Sequence, residues 1–132
     1  MTTLDDGTLC VQLPAIGSAV ALARMTVRER WADLPDNVLD DVQLIVAELV
    51  SNAVRHGRPD IELHLRGEPF TVNVAVLDHH PAQPPTRPQR PDVAATSGRG
   101  LLLVEELAER WGTEPLVDGS GKTVWASVTV PQ

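Results

Sequence analysis

The stretch that decides the fold spans residues 36–57 and reads DNVLDDVQLIVAELVSNAVRHG. Its apolar residues recur at helical spacing and make one face, formed by Val38, Val42, Ile45, Leu49 and Ala53. Asp36 or Asn37 can serve as an N-cap, and Gly57 followed by Pro59 is a strong stop signal. The pattern predicts a long amphipathic helix.

The segments on both sides of this helix predict an α+β fold. A strand and a helix precede it, and a strand hairpin, a long loop, a further helix and a second hairpin follow it. The predicted strands cover 8–13, 61–66, 70–77, 113–117 and 123–130, and the other two helices cover 15–31 and 101–111. This order is typical of a two-layer sandwich, with helices on one face of a mixed, mostly antiparallel sheet.

Length and cysteine content bound the class of protein. A chain of 132 residues is the size of one domain, so we expect residues 1–132 to form a single domain. The one cysteine, Cys10, excludes an intramolecular disulfide and is typical of a reducing compartment. No run approaches the roughly 18 apolar residues of a membrane span, and residues 1–6 lack the features of a signal peptide. We therefore expect a cytoplasmic protein.

The charge of the chain argues against two classes of partner. Its formal net charge is -7 at pH 7, whereas nucleic acids and anionic membranes attract clustered cations. The chain has one Phe and no Tyr, which disfavours a base-stacking platform for nucleic acid. We predict no direct binding of nucleic acid and no binding to membranes.

Polar residues on the central helix can carry chemistry. Glu48 and Asn52 stand four apart and share one helix face, and Arg55 and His56 lie near that face one turn further on. A carboxylate and an amide oxygen suit Mg²⁺, and the carboxylate can alternatively act as a general base beside a phosphoryl group. A solvated helix face has the same spacing and is the simpler interpretation of spacing alone.

Two further patterns are weak when each is taken alone. Asp78 ends an apolar strand, where a carboxylate can accept a hydrogen bond from a ligand or simply open a turn. Gly98-Arg99-Gly100 precedes a predicted helix, where glycine amides and the helix N-terminus favour a phosphate group. Both indicate a ligand only in combination with other signals.

Histidine and cysteine spacing does not predict a zinc site. His79 and His80 are adjacent, but no Cys or third His stands at ligand spacing nearby. Cys10 lies in a predicted strand without basic neighbours, which favours a buried small residue over a nucleophile.

Residues 79–97 are predicted to form a lid loop. The segment contains five prolines and no hydrophobic periodicity. Loops of this length inside a compact domain are uncommon and often close over a functional site. Its prolines favour extended polyproline geometry.

Taken in chain order, these patterns resemble the GHKL ATPase superfamily, which includes gyrase, histidine kinases and MutL. Residues 48–57, ELVSNAVRHG, resemble its N-box, and the ending Arg-His-Gly is similar to that of the anti-sigma factor serine kinases. Asp78 falls where the family has its adenine-binding aspartate. Residues 97–101 resemble the second glycine box, and residues 121–125 resemble the closing strand.

The resemblance implies a Bergerat-type sandwich that binds ATP and Mg²⁺ between the helix layer and a mobile lid. It implies that Asn52 holds Mg²⁺ and that Glu48 is the base that activates a partner's serine. Asp78 would read the adenine amino group, with support from Thr123. The remaining cofactor-binding residues that it implies are Arg55, His56, Gly98, Arg99, Gly100 and Leu101.

One departure from the family pattern leaves more than one function open. The family's first glycine box usually reads Asp-x-Gly-x-Gly, whereas residues 78–82 read DHHPA and contain neither glycine. The first function is a serine/threonine kinase that binds a sigma factor and phosphorylates a STAS-domain anti-sigma antagonist. The second is a non-catalytic module that sequesters its partner with weak or no ATP turnover. A detached ATP-binding part of a histidine kinase is disfavoured, because the short chain has no phospho-acceptor helix pair.

A cationic strip on the first helix is the predicted partner surface. Arg24, Arg28 and Arg30 lie off its apolar stripe, on a chain that is otherwise acidic. Anti-sigma factors of the resembled type dimerise and hold acidic, helical segments of sigma factors, so a homodimer is also implied. A solvated helix face is the plain alternative.

Overall fold

Three helices and six strands make up the part of the chain that the computed structural model describes, namely residues 2–4, 6–55, 60–79 and 96–131. The strands are β1 Thr2–Thr3, β2 Leu9–Leu13, β3 Ile61–Gly67, β4 Thr71–Asp78, β5 Arg110–Pro115 and β6 Lys122–Thr129. The helices are α1 Ser18–Arg30, α2 Asp36–Arg55 and α3 Thr96–Leu107. All elements predicted from the sequence are present, and the short β1 is additional.

The described strands form one antiparallel sheet. Their order is β1-β2-β3-β4-β6-β5, and each neighbouring pair is antiparallel. Alternate residues of a strand point to opposite faces, and one set packs with the helices into a single core, as Val72, Val74 and Val76 of β4 do. The predicted α+β sandwich is therefore confirmed. We call the face of the sheet away from the helices the outer face.

The helix α2 forms as its periodicity predicts, because its apolar face is buried. All five residues of the predicted stripe are buried, together with Val46 and Val50. The helix contacts α1, α3 and strands β3, β4 and β6. Burying one Val, Leu or Ile side chain contributes about 1.5–3 kcal/mol. Tertiary packing of this face, more than helix propensity, stabilises α2.

The start of α3 differs from the prediction. The sequence predicts a helix from residue 101, after the glycines, whereas α3 begins at Thr96 and includes Gly98, Arg99 and Gly100. Glycine is tolerated in a first helical turn, since the first four amides of a helix have no intrahelical partner. The glycines therefore lie inside the N-terminal turns of the helix and not in a loop before it.

The end of α3 differs as well. The prediction extends the helix to residue 111, but the Ala108 amide donates to the Val104 carbonyl at 2.8 Å and closes the last turn. The next amide, of Glu109, donates to the Ser127 carbonyl at 2.8 Å and begins the pairing of β5 with β6. Trp111 is thereby a strand residue opposite Ala126. Sheet pairing overrides the helical spacing of these residues.

Strand order decides what stands next to the end of β4. The chain leaves β4, passes through α3 to the edge strand β5, and returns as β6 between β5 and β4. This return places the first residue of β6, Lys122, opposite the last residue of β4, Asp78.

The predicted lid lies almost entirely outside the described residues, because residues 80–95 are not among them. Within the described ranges, no helix combines the length and the apolarity that crossing a membrane requires.

Candidate functional site

Glu48 and Asn52 lie along the edge of the buried face of α2. Both side chains are half-buried and project from the same side of the helix. Polar residues of an amphipathic helix usually lie opposite its apolar stripe, whereas the structure places these two beside it. The reason is that α2 contacts two helices and the sheet, so it buries more than one stripe. This partial enclosure differs from a fully solvated helix face.

Arg55 is the last residue of α2, and its side chain is exposed. A cation at this end of a helix is favoured by the partial negative charge of the terminal carbonyls. Its position, three residues beyond Asn52, keeps it near the side of the helix that carries Glu48. His56, the other residue predicted here, lies outside the described residues.

Asp78 is buried at the end of β4, with 3% of its surface exposed. Buried carboxylates are rare unless they are paired. Both of its carboxylate oxygens accept a hydrogen bond from Nζ of Lys122, at 3.2 and 3.1 Å. The side chain of Lys122 is itself only 16% exposed. The acceptor predicted at this strand end is therefore present, inside the protein and next to the one lysine of the chain.

Gly121 allows the two strand ends to approach this closely. A Cβ atom at this position would overlap the Asp78 carbonyl oxygen and lie 2.8 Å from the Cα of His79. These are backbone atoms, which cannot rotate away as a side chain can. Glycine is therefore required for the close backbone approach beside Asp78.

Gly121→Ala is expected to destabilise the protein by at least about 1–3 kcal/mol, the usual cost of overpacking. The methyl group would force β4 and β6 apart at the end that holds Asp78 and Lys122. Thermal unfolding of the variant measures this loss. Gly17→Ala is the matched control, because a Cβ there meets nothing within 4 Å. Equal melting temperatures for the two variants would contradict the close approach.

Thr123 lies one residue further along β6, opposite Leu77. Because Lys122 reaches the carboxylate of Asp78, the next side chain points to the outer face. The resemblance implies that Thr123 supports adenine binding by Asp78. The register favours Lys122 as the residue beside that carboxylate.

The glycine motif lies in the first turns of α3. The backbone of Gly98, Arg99, Gly100 and Leu101 is helical. The amide of Gly98 is the third of the helix, and the amides at the start of a helix have no intrahelical acceptor. Such amides, with the helix dipole, favour an anion. The motif thus keeps a backbone donor that a phosphate site requires, although its glycines lie inside the helix.

Lys122 is the residue of this site that sequence reasoning missed. It was visible as the single lysine of an arginine-rich chain, within the motif Gly121-Lys122-Thr123. Its role depends on a cross-strand register between residues 44 positions apart. No local pattern reveals such a register.

Lys122→Met is expected to lower the melting temperature without nucleotide and to enlarge the rise in melting temperature that ATP causes. Removing the ammonium group deletes the buried ion pair between Asp78 and Lys122, and breaking such a pair typically costs about 3–5 kcal/mol. The same change removes a donor that competes with the amino group of a ligand for this carboxylate. Differential scanning fluorimetry with and without Mg²⁺-ATP measures both effects. A smaller ATP-induced rise than in the wild type would show that Lys122 assists binding and does not compete with it.

Comparisons with known proteins agree with this architecture. Residues 13–128 match the family described as the histidine kinase-like ATPase domain. The crystal structure of the RsbU and RsbW domains of Rv1364c from Mycobacterium tuberculosis is similar to the fold, with a TM-score of 0.65 and 19% sequence identity over 94% of this chain. This chain spans 32% of the length of that chain, and the likeness concerns the fold. None of the curated proteins is a significant match. By the match over residues 13–128, the chain belongs to the histidine kinase-like ATPase domain family.

Proposed function

We propose that this chain is a cytoplasmic, ATP-binding regulator of the anti-sigma type with serine/threonine protein kinase activity toward a STAS-domain antagonist. The observation that carries the proposal is the buried carboxylate of Asp78 at the end of an inner strand, in a chain of the histidine kinase-like ATPase family. Similarity to a structure that contains an RsbW domain supports the same branch of the family.

The residues beside Asp78 fit an adenine nucleotide. An ionised carboxylate can only accept hydrogen bonds, so it suits the amino group of adenine, which donates them. Gly121 keeps a side chain away from the backbone of this strand end. The ammonium of Lys122 occupies one acceptor position on each carboxylate oxygen, so the amino group of a ligand would share an oxygen with it or compete with it.

The proposed roles of the other residues follow from their chemistry. Asn52 offers an amide oxygen to Mg²⁺, and Glu48 accepts the proton of the serine hydroxyl that is phosphorylated. The amide of Gly98 donates to a phosphate oxygen at the start of α3. Bound ATP supplies the phosphoryl group, with Mg²⁺ neutralising its charge. Arg55 adds a cation at the end of α2.

A second candidate function is favoured by two features of the chain. The Asp78 carboxylate already has a charged partner on both oxygens, and residues 78–82 lack the two glycines of the family pattern. Both features weaken nucleotide binding relative to a site with an open acceptor. A non-catalytic module that sequesters a sigma factor is therefore the alternative.

The deciding experiment is the effect of Mg²⁺-ATP on thermal stability. A ligand that binds the native state stabilises it by about 2.7 kcal/mol at a concentration 100 times its Kd. Asp78→Asn should abolish most of the resulting shift, because the NH₂ group of asparagine, which donates hydrogen bonds, replaces one of the two accepting carboxylate oxygens. Asp33→Asn, at an exposed position between α1 and α2, is the matched control and should leave the shift unchanged. No shift in the wild type at millimolar ATP would reject the kinase and favour the sequestering module.

The proposed partners are a sigma factor and a STAS-domain antagonist, without direct contact with nucleic acid or membrane. On α1, Arg24 and Arg28 stand four residues apart and are exposed, and the exposed side chain of Met25 lies next to Arg24 in sequence. Arg30 differs from them, because its guanidinium donates to the Gly7 carbonyl at 3.2 Å. The pair Arg24 and Arg28 is thus the part of the strip that we assign to an acidic partner, and a homodimer remains part of the proposal.

A further inference from the structure

Three side chains that can ligate a metal converge on the outer face of the sheet. Cys10 of β2 is directly opposite His64 of β3, and Glu62 lies two residues before His64 on the same strand. The intervening Leu63 is buried in the core, so strand alternation turns its two neighbours toward the outer face. All three side chains are half-buried. They lie on the opposite face of the sheet from Asp78 and Lys122, whose side chains are on the helix-facing side.

The spacing of the ligand atoms suits a tetrahedral cation. Sγ of Cys10 is 3.2 Å from Oε1 of Glu62, and Nε2 of His64 is 3.1 Å from the same oxygen. One ligand atom from each of the three residues lies within 4.8 Å of the others. Zinc bonds of about 2.0–2.3 Å at tetrahedral angles place neighbouring ligand atoms about 3.3–3.6 Å apart. The two separations from Glu62 need shifts of only a few tenths of an ångström to reach these values, and the separation between Cys10 and His64 is within 4.8 Å.

Hydrogen bonding prepares the cluster for a cation. The Cys10 thiol donates to Oε1 of Glu62, and Nε2 of His64 is hydrogen-bonded to the same oxygen. Two hydrogen bonds thus meet on one carboxylate oxygen, and bonds to a metal ion would take their place.

We propose that Cys10, Glu62 and His64 form a binding site for Zn²⁺, with a fourth coordination position open to water or to a ligand atom from another molecule. Thiolate, carboxylate and neutral imidazole are the three ligand types that zinc takes in proteins. On binding, the Cys10 thiol loses its proton to solvent and forms the sulfur–zinc bond, so the two negative ligands balance the charge of the ion. Mg²⁺ and Ca²⁺ prefer oxygen ligands only and do not match this set.

Cobalt substitution tests the proposal on the whole chain without nucleotide. After treatment with a chelator, titration with Co²⁺ should produce the visible bands of a tetrahedral ion and a thiolate-to-cobalt charge-transfer band, and Zn²⁺ should remove both. Because Cys10 is the one cysteine of the chain, its rate of alkylation should also fall when Zn²⁺ is added. Absence of the thiolate band in the wild-type protein would overturn the proposal, and the cluster would then be a hydrogen-bonded network only.

Variants assign the ligands individually. Cys10→Ser should lose the charge-transfer band entirely, and His64→Gln and Glu62→Gln should each weaken Zn²⁺ binding by at least about tenfold, the loss that even an outer-shell partner causes. His79→Gln and Glu68→Gln are matched controls outside the cluster and should bind Zn²⁺ as the wild type does. Equal affinity in a cluster variant and its control would also overturn the assignment. Each variant's melting curve without metal verifies that it is folded.

Discussion

Glu48→Gln is expected to lower phosphoryl transfer by about 100-fold or more while binding of Mg²⁺-ATP survives, the loss typical of removing a general base. Glutamine keeps the shape of the side chain, and the half-buried position on α2 tolerates it, but the amide cannot take up the proton of a serine hydroxyl. Initial rates of transfer of radiolabelled phosphate from ATP to purified STAS-domain proteins of the same cell measure the effect.

Two companion variants make this result specific. Glu29→Gln, at an exposed position of α1, should leave the rate unchanged. Asn52→Ala should weaken the Mg²⁺-dependent binding of ATP itself, because it removes the amide oxygen assigned to the ion. Equal loss of ATP binding in the Glu48 and Asn52 variants would show that both residues serve the structure of α2, and the assigned roles would be wrong.

Arg24→Glu combined with Arg28→Glu is expected to abolish capture of the sigma factor while the ATP-induced melting shift stays intact. Both side chains are exposed on α1, so the substitutions reverse a surface charge without disturbing the core. Surface charges steer association, so the loss should begin as a slower association rate that depends on salt. Surface plasmon resonance with immobilised sigma factors of the same cell, at low and high salt, measures it.

A control with the same change in net charge separates steering by this strip from a general effect. Arg66→Glu combined with Arg110→Glu reverses two exposed charges on the sheet and should leave capture largely unchanged. The ion pairs of Arg66 with Asp6 and Glu68, at 3.8 and 3.9 Å, are exposed and contribute little to stability. A wild-type association rate for the α1 double variant at low salt would place the recognition surface elsewhere.

Lys122 connects the two candidate functions. The ion pair between Asp78 and Lys122 puts the ammonium group in competition with any ligand donor for the same carboxylate. The Lys122→Met variant therefore reports on the balance between kinase and sequestering module more directly than the missing glycines do. If the chain is a kinase, the variant should bind ATP more tightly than the wild type does. If the chain is a sequestering module, the variant should remain insensitive to ATP.

The sequence by itself determined the elements whose signals are local. The 3.6-residue period of α2, the alternation of β3 and the apolar run of β4 predicted their type, and the buried residues confirm the predicted stripe of α2. The second predicted hairpin is closed by a turn at 118–121, with Gly119 at φ +76 and the Ser120 amide donating to Asp118. Periodicity within one element predicts its structure correctly, because the spacing of the apolar residues determines which side of the element is buried. The family resemblance, carried by the N-box motif, is likewise confirmed by the match over residues 13–128.

Only the tertiary structure decided the contacts between distant segments. Trp111 is a strand residue because the backbone of β5 pairs with β6, where Trp111 is opposite Ala126. Lys122 meets Asp78 because β6 returns between β4 and β5, and Cys10 meets Glu62 and His64 because β2 pairs with β3 in one particular register. A shift of one residue would turn each of these side chains to the other face of the sheet. Register depends on the packing of the whole core, so no pattern within a single segment could have predicted either cluster.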